Sequence, residues 1–370
     1  MIVGILKEMK ADENRVSLTP GGVEVICQNG HSVLVENNAG LASGFDNSIY
    51  QQAGAEIVNK PEEIFDRSEM IVRVKEPLPT EFEYLKQGRI YFAYLHLAAS
   101  QTVTEAMLKS GTIGIAYETI QKPDGTLPLL TPMSEVAGPM AIQEGAKYLE
   151  MTQGGHGILL GGVPGVDPGT VMIIGGGAVG INAAKMACGL GAKVYILDID
   201  LDRLRYLSDV MPSHCVTLMS SPATIRDILP KTDLVIGAIL EPGSKTPTVV
   251  TREMLEISKK GSVLVDVAID QGGCFETSRE TTHTDPTYTL DGIIHYAVSN
   301  MPGALPRTST LALNNSILPY VLEIAGKGWK KAMQENSEIK RGANVVNGCV
   351  TYGGVAKAFG IAIENIDSLL

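Results

Sequence analysis

The chain has 370 residues, enough for two domains at roughly 100–200 residues each, and its 44% apolar and 19% charged composition excludes a disordered chain. Asp plus Glu outnumber Lys plus Arg by 41 to 30, a formal charge of −11, the wrong sign for a protein whose main partner is a phosphate backbone. No uncharged apolar run of about 18 residues occurs, and the opening MIVGILKEMKADENR has no basic start followed by a long apolar stretch, so neither a membrane nor secretion is expected.

In chain order, short apolar runs at 2–6, 32–35, 70–74, 90–94 and 113–117 read as strands, separated by helix-like stretches that carry charges. That alternation predicts α/β units with a largely parallel sheet. The segment PDGTLPLLTP at 123–132 reads as a connector, and a helix is expected over 134–151 with Pro139 causing a kink or a late start. Strands at 171–174, 193–197, 216–219, 234–239 and 263–267, each separated by a helical pattern, then describe one doubly wound domain. The remainder of the chain after Pro306 is too short for a robust core of its own, so it is expected to pack back on the first domain. The predicted fold class is α/β, with one domain of residues 1–130 and 306–370, discontinuous, and a second of 131–305 inserted into it. No internal repeat is visible.

Five cysteines, odd in number, far apart and without a C-x-x-C pair, read as reduced core thiols of a cytosolic protein. His31, His156, His214, His283 and His295 have no metal-ligand spacing, and no metal is expected.

The segment Val171-Met-Ile-Ile-Gly175-Gly-Gly177-Ala-Val-Gly180 sets an apolar strand before G-x-G-x-x-G and a helical pattern after it. Gly175 permits the sharp turn, Gly177 lets the backbone approach a pyrophosphate, and Gly180 lets the helix pack on the strand, the Rossmann fingerprint. The helix N-terminus then faces the anion. Asp198, eighteen residues beyond Gly180, ends the next strand, where a carboxylate accepts hydrogen bonds from a ribose and repels a 2′-phosphate. NAD is therefore favoured over NADP, although Arg203 and Arg205 nearby fit either a phosphate contact or the solvated face of the next helix.

A dinucleotide domain supplies an oxidant and no substrate class. Arg15 in ENRVSLTP, Lys75 at the end of MIVRVK, His96 after IYFAYL and Asp270 at the end of SVLVDVAID are the candidates for chemistry. Three of the four fall at or just beyond predicted strand ends, where α/β proteins bind ligands. From spacing alone each also reads as a surface charge, a satisfied edge histidine or a turn aspartate.

ENRVSLTP, VRVKEP, YLHLA, MSEVAG, TQGGHGILLGGVPGV, IIGGGAVG, VDVAIDQGG and SNMPGALPRTST, in this order across almost the whole chain, resemble the alanine dehydrogenase family. The resemblance implies two Rossmann-like domains, a NAD-binding domain inserted in a discontinuous substrate domain, assembled as a cytoplasmic homohexamer. It implies reversible conversion of L-alanine to pyruvate and ammonium with NAD reduced to NADH. Arg15 and Lys75 are thereby expected to bind substrate, with His96 and Asp270 catalytic. Ser134, Ala178, Val179, Asp198, Arg203, Ser220, Ile239, Leu240, Val267, Ala268, Ile269, Asp270, Arg279, Val298, Ser299, Asn300 and Met301 are expected to join the glycines around NAD. Pro139 and His156 stand where relatives are expected to carry basic residues. The rival readings are the NAD-binding portion of a proton-translocating transhydrogenase, a saccharopine- or lysine-type dehydrogenase, and a silent NAD-binding regulator. The ending IENIDSLL without a membrane extension, with the full Arg, Lys, His and Asp set, favours the dehydrogenase.

Overall fold

The computed structural model describes residues 1–239 and 246–370. The chain divides into two compact units, one of Met1–Met133 with Leu305–Leu370, the other of Ser134–Ala304.

Six strands come first: β1 (Ile2–Ile5), β2 (Ser32–Glu36), β3 (Glu56–Val58), β4 (Met70–Val72), β5 (Ile90–Ala93) and β6 (Ile113–Ala116). Seven belong to the second unit: β7 (Thr170–Ile174), β8 (Lys193–Asp198), β9 (Cys215–Met219), β10 (Leu234–Gly237), β11 (Val263–Asp266), β12 (Thr287–Leu290) and β13 (Ile293–Tyr296). The chain then returns to the first unit with β14 (Ala343–Val346) and β15 (Cys349–Val350).

The first sheet runs β15-β14-β6-β5-β4-β1-β2-β3, parallel from β6 to β3. Its central strands are apolar at every position because both faces are covered. Alternate residues feed two cores: Ile90 and Phe92 point to one, Tyr91 and Ala93 to the other. The first core also takes Leu313, Ile317, Val321 and Ile324 from the helix Pro306–Lys327, so the C-terminal segment has no core of its own and fills that of the first unit.

The second sheet runs β12-β13-β11-β10-β7-β8-β9, parallel except for β12. Strand order reverses between β7 and β10, which makes their carboxyl ends the crevice of this doubly wound arrangement. Met172, Ile174, Val235 and Leu264 fill the core on one of its faces.

Several elements differ from expectation. Strand β4 stops at Val72, short of residue 74, because the Val74 amide is taken by the Glu8 carboxylate at 2.8 Å. Strands β10 and β11 stop at Gly237 and Asp266, so residues 238, 239 and 267 belong to loops. The helix expected from 134 begins at Thr131 and runs to Tyr148 with Pro139 inside it, so there is no late start. The β12–β13 hairpin, absent from the expected strands, turns on Asp291 and Gly292. Their φ values of +51° and +77° are the pair of left-handed residues that two-residue hairpin turns require.

Candidate active site

In the first unit, β1 and β4 are neighbours while the chain departs from them in opposite directions, to β2 and to β5. Arg15 follows β1, Lys75 follows β4 and His96 follows β5, so the fold brings three of the four candidates to the carboxyl edge of adjacent parallel strands.

Arg15 is buried, at 2% exposure, which removes the surface-charge reading. Glu13, at 4%, takes its Nε at 2.7 Å and its Nη2 at 2.5 Å in a two-pronged pair, and Nη1 points to the Met133 sulfur at 3.0 Å. Burial works against the guanidinium charge, but the Glu13 hydrogen bonds and charge outweigh it and raise its pKa. The Lys75 amide is held by Glu8 Oε1 at 3.2 Å, and Glu8 in turn faces Arg73 Nε at 3.3 Å. Arg73 reaches Glu81 at 2.6 Å, so a buried ionic layer lies beneath the Lys75 loop. Burial pushes the Glu8 carboxyl above its ordinary range despite Arg73.

His96 is exposed and stands in a left-handed conformation, φ +47°, uncommon for a residue with a side chain. The Glu118 carboxylate holds that turn, accepting from the His96 amide at 2.7 Å and from the Leu95 amide at 3.2 Å. The Tyr94 ring lies near-parallel to the imidazole, centroids 6.2 Å apart, with its hydroxyl donating to the Leu129 carbonyl. Glu76, in an ion pair with Lys10, completes the charged surroundings; burial opposes its ionisation, but Lys10 and, more weakly, His96 outweigh this and lower its pKa.

In the second unit the glycine loop leaves β7. Gly175 has φ +105°, and a side chain there would meet the Ala238 carbonyl at 2.5 Å. At Gly180 a Cβ would sit 1.8 Å from the Gly175 carbonyl, so the helix Ala178–Gly189 reaches its place only with glycine there. A Cβ at Gly177 would meet nothing within 4 Å. Among the described residues no atom of its own unit therefore requires glycine, and the opening over Gly177 is a cradle that a side chain would fill. Asp198 ends β8 with Oδ2 accepting from the Gly176 amide at 2.7 Å and Oδ1 from the Asp200 amide at 2.9 Å. Arg203 donates from Nε to the Gly176 carbonyl at 2.6 Å, so it belongs to the loop, whereas Arg205 pairs with Asp202 at the surface.

Asp270 is exposed on a short 3-10 turn just past the end of β11, and its Oδ1 accepts from the Asn300 amide at 3.1 Å. Asn300 has φ +55°. That bond ties the Val267–Asp270 segment to the Val298–Met301 segment, which follows β13, the next strand in the sheet. Ile239 follows β10 and Ser220 follows β9, its amide donating to the Asp198 carbonyl at 2.8 Å. Ser134 is half-buried in its helix, and Ala178 and Val179 open the helix after the loop. Arg279 is exposed and covers the Tyr288 ring at 4.1 Å. Leu240 lies outside the described residues.

The sequence reading missed the residues that hold these groups. Glu13 stands two positions before Arg15, and Glu118 two past β6, at the same sheet edge as His96. Asp266, not Asp270, ends β11; it is 1% exposed and accepts from the Cys274 and Phe275 amides and the Ser278 hydroxyl, pinning the loop that follows.

Two doubly wound sheets, one carrying a strand–glycine loop–helix crevice and one carrying an Arg, Lys and His edge, define an α/β protein of the dinucleotide-binding type. A family model for the alanine dehydrogenase/PNT N-terminal domain matches residues 4–137, and one for the alanine dehydrogenase/PNT C-terminal domain matches residues 141–353. The chain belongs to the alanine dehydrogenase/PNT family. It is 54% identical to an alanine dehydrogenase of Staphylococcus saprophyticus over the whole of both chains. It is 56% identical to one of Bacillus subtilis, covering 97% of this chain and 95% of that one. A solved L-alanine dehydrogenase superposes with a TM-score of 0.95 at 47% identity, covering 98% of this chain and all of the other. A transhydrogenase from Sinorhizobium meliloti, at 23% identity and a TM-score of 0.82 over 95% of this chain and 99% of its own, shares the fold.

Proposed function

We infer that the chain is an L-alanine dehydrogenase that converts L-alanine reversibly to pyruvate and ammonium with NAD as oxidant. The observation that carries the substrate reading is the buried Arg15 fork, kept charged by Glu13 at a strand edge shared with Lys75 and His96. A permanently charged planar group at such an edge suits a carboxylate, and Lys75 adds a second cation for the carboxylate or the carbonyl oxygen.

The cradle over Gly177 and the carboxylate of Asp198 fit a dinucleotide whose ribose is unphosphorylated. Gly175, Gly177 and the helix starting at Ala178 would hold the diphosphate, and Asp198 the adenosine ribose, with Arg203 supporting the loop. NAD, when bound, supplies the hydride acceptor for the alanine α-carbon. The amine must first lose a proton, and water must later add at the same carbon. Asp270 is assigned the proton at the amine or the water, and His96 the proton and hydrogen bond at the developing carbonyl oxygen. Ile239, Leu240, Val267–Asp270, Arg279 and Val298–Met301 are assigned to the cofactor, with Ser134, Val179 and Ser220.

We assign residues 1–133 and 305–370 to substrate and 134–304 to NAD. We further assign the chain to the cytoplasm, as a homohexamer; none of its described helices is long and apolar enough to cross a membrane. The test is a screen of NAD and NADP against L-alanine, larger amino acids and no substrate. Activity with alanine and NAD supports the reading; preference for NADP overturns the role of Asp198, and NADH binding without turnover on any amino acid overturns the enzyme.

A further inference from the structure

The β12–β13 hairpin at the end of the second sheet carries a stack of three side chains. Tyr288 of β12, the edge strand, stands opposite His295 of β13 in the antiparallel register, so the two rings share one face of the sheet. They lie 4.8 Å apart, centroid to centroid, and within 14° of parallel. The Arg279 guanidinium carbon covers the Tyr288 ring, 4.1 Å from its centre. Thr277 locks the stack from the side. Its carbonyl accepts from the Tyr288 hydroxyl at 2.6 Å, and that hydroxyl oxygen accepts in turn from the Arg279 amide at 2.9 Å. His295 is buried, with Nδ1 3.2 Å from the Ile293 carbonyl. A carbonyl only accepts, so Nδ1 carries the proton and Nε2 accepts from the Thr277 hydroxyl at 2.7 Å. Burial pushes the His295 pKa down, with the Arg279 charge adding to it against the Ile293 carbonyl, so no second cation forms beneath the ring at neutral pH.

The backbone around Arg279 is pinned to the carboxyl edge of this sheet. Ser278 donates from its hydroxyl to Asp266, the last residue of β11, and the Thr281 amide donates to the Ala297 carbonyl, just past β13, at 2.9 Å. The glycine loop leaves β7 at the same edge. Arg279 is exposed there, and among the described residues no carboxylate pairs with its guanidinium. We propose that Tyr288, backed by His295, is the positioning residue that holds the Arg279 guanidinium ordered, with its N–H donors available to acceptor oxygens of the bound dinucleotide. This rests on the assignment of Arg279 to NAD made above. The negative face of the ring attracts the cation and fixes a long side chain that would otherwise sample many rotamers, so less freedom is lost when the cofactor arrives. A carboxylate would fix it too, but by taking the N–H donors, as Glu13 does at Arg15. The phenol and imidazole are themselves held by hydrogen bonds to Thr277 and Ile293, so the platform is rigid before any ligand binds.

The full chain and its variants are titrated with NADH by fluorescence, with thermal melts beside each titration. Tyr288→Leu is expected to weaken NADH binding about five- to tenfold, and Arg279→Ala at least as much. In the Arg279→Ala background, Tyr288→Leu is expected to add less than about twofold, because the platform then has nothing to hold. Tyr288→Phe keeps the ring face and is expected to stay within about threefold of the parent. Adding fluorine atoms to that phenylalanine drains the negative face while keeping the ring shape, and is expected to weaken NADH binding step by step at unchanged Tm. The fluorinated series decides the matter even if Tyr288→Leu folds poorly. A flat series, an equal effect of Tyr288→Leu with and without Arg279, or parental affinity in Arg279→Ala overturns this proposal while the parent's NADH binding stands. A parent chain that does not bind NADH overturns the dinucleotide reading and this proposal with it.

Discussion

Arg15 is held by Glu13 in a buried two-pronged pair, and each half of that pair makes its own prediction. Arg15→Lys keeps the charge but loses the fork, so the KM for pyruvate is expected to rise on the order of 10–100-fold with a smaller change in kcat, read by steady-state kinetics. Glu13→Gln leaves a buried guanidinium without its counter-charge, a loss of about 3–5 kcal/mol, visible as a lower denaturant midpoint. His96→Ala and Asp270→Asn are expected to lower kcat by about 10²–10⁴-fold while NADH binding, followed by fluorescence titration, persists. Near-parental turnover in both would remove their assignment. The candidates themselves were readable because strand ends are readable: an apolar run followed by a charged residue marks the edge where ligands bind. Their supports were not. Glu8 and Glu118 reach the Lys75 and His96 turns through backbone amides 67 and 22 residues away, a relation that exists only after the sheet has formed.

At the scale of elements, the glycine loop separates two meanings of one residue type. Gly180→Ala places a methyl group against the Gly175 carbonyl and is expected to lower Tm together with cofactor affinity. Gly177→Ala meets no atom of the described residues, so Tm is expected to hold while NADH affinity falls about tenfold or more, measured by thermal melts beside binding titration. Strand β11 and the loop after it hang on Asp266. Burial raises its carboxyl pKa above the ordinary Asp range in spite of the Ser278, Cys274 and Phe275 donors. The unfolded chain thus loses this proton first as pH rises, and between the two values the folded state binds more protons. Stability from this group is therefore expected to fall as pH rises through that window, and Asp266→Asn to flatten the trend in melts across it. The parallel strands were legible because both of their faces are buried and they read as unbroken apolar runs. The short β3, the β14–β15 pair and the exact stopping points of β4 and β10 were not. Their ends are fixed by side chains and neighbouring strands that local patterning does not contain.

For the whole molecule, the loop between residues 154 and 169 exposes Leu159, Val163 and Val166, with Met151 and Leu190 also exposed in the same unit. Exposed apolar side chains on a chain of net charge −11 suit burial between copies. Sedimentation is expected to give six times the chain mass of 39.4 kDa, and Leu159→Asp with Val163→Asp to shift it to smaller species. That the helix Pro306–Lys327 packs into the first core was foreseeable from length, since so short a remainder of chain has too little apolar surface to bury by itself.

The pairing of β14 with β6 also sets a timetable for synthesis. While the segment Met1–Met133 emerges, β6 has an unclaimed edge and the core lacks Leu313, Ile317, Val321 and Ile324. The middle of the chain, Ser134–Ala304, forms a compact unit of its own and is free to finish first. Met1–Met133 must wait, partly open and exposed to stray strand partners, until residues 305–370 follow and seal it.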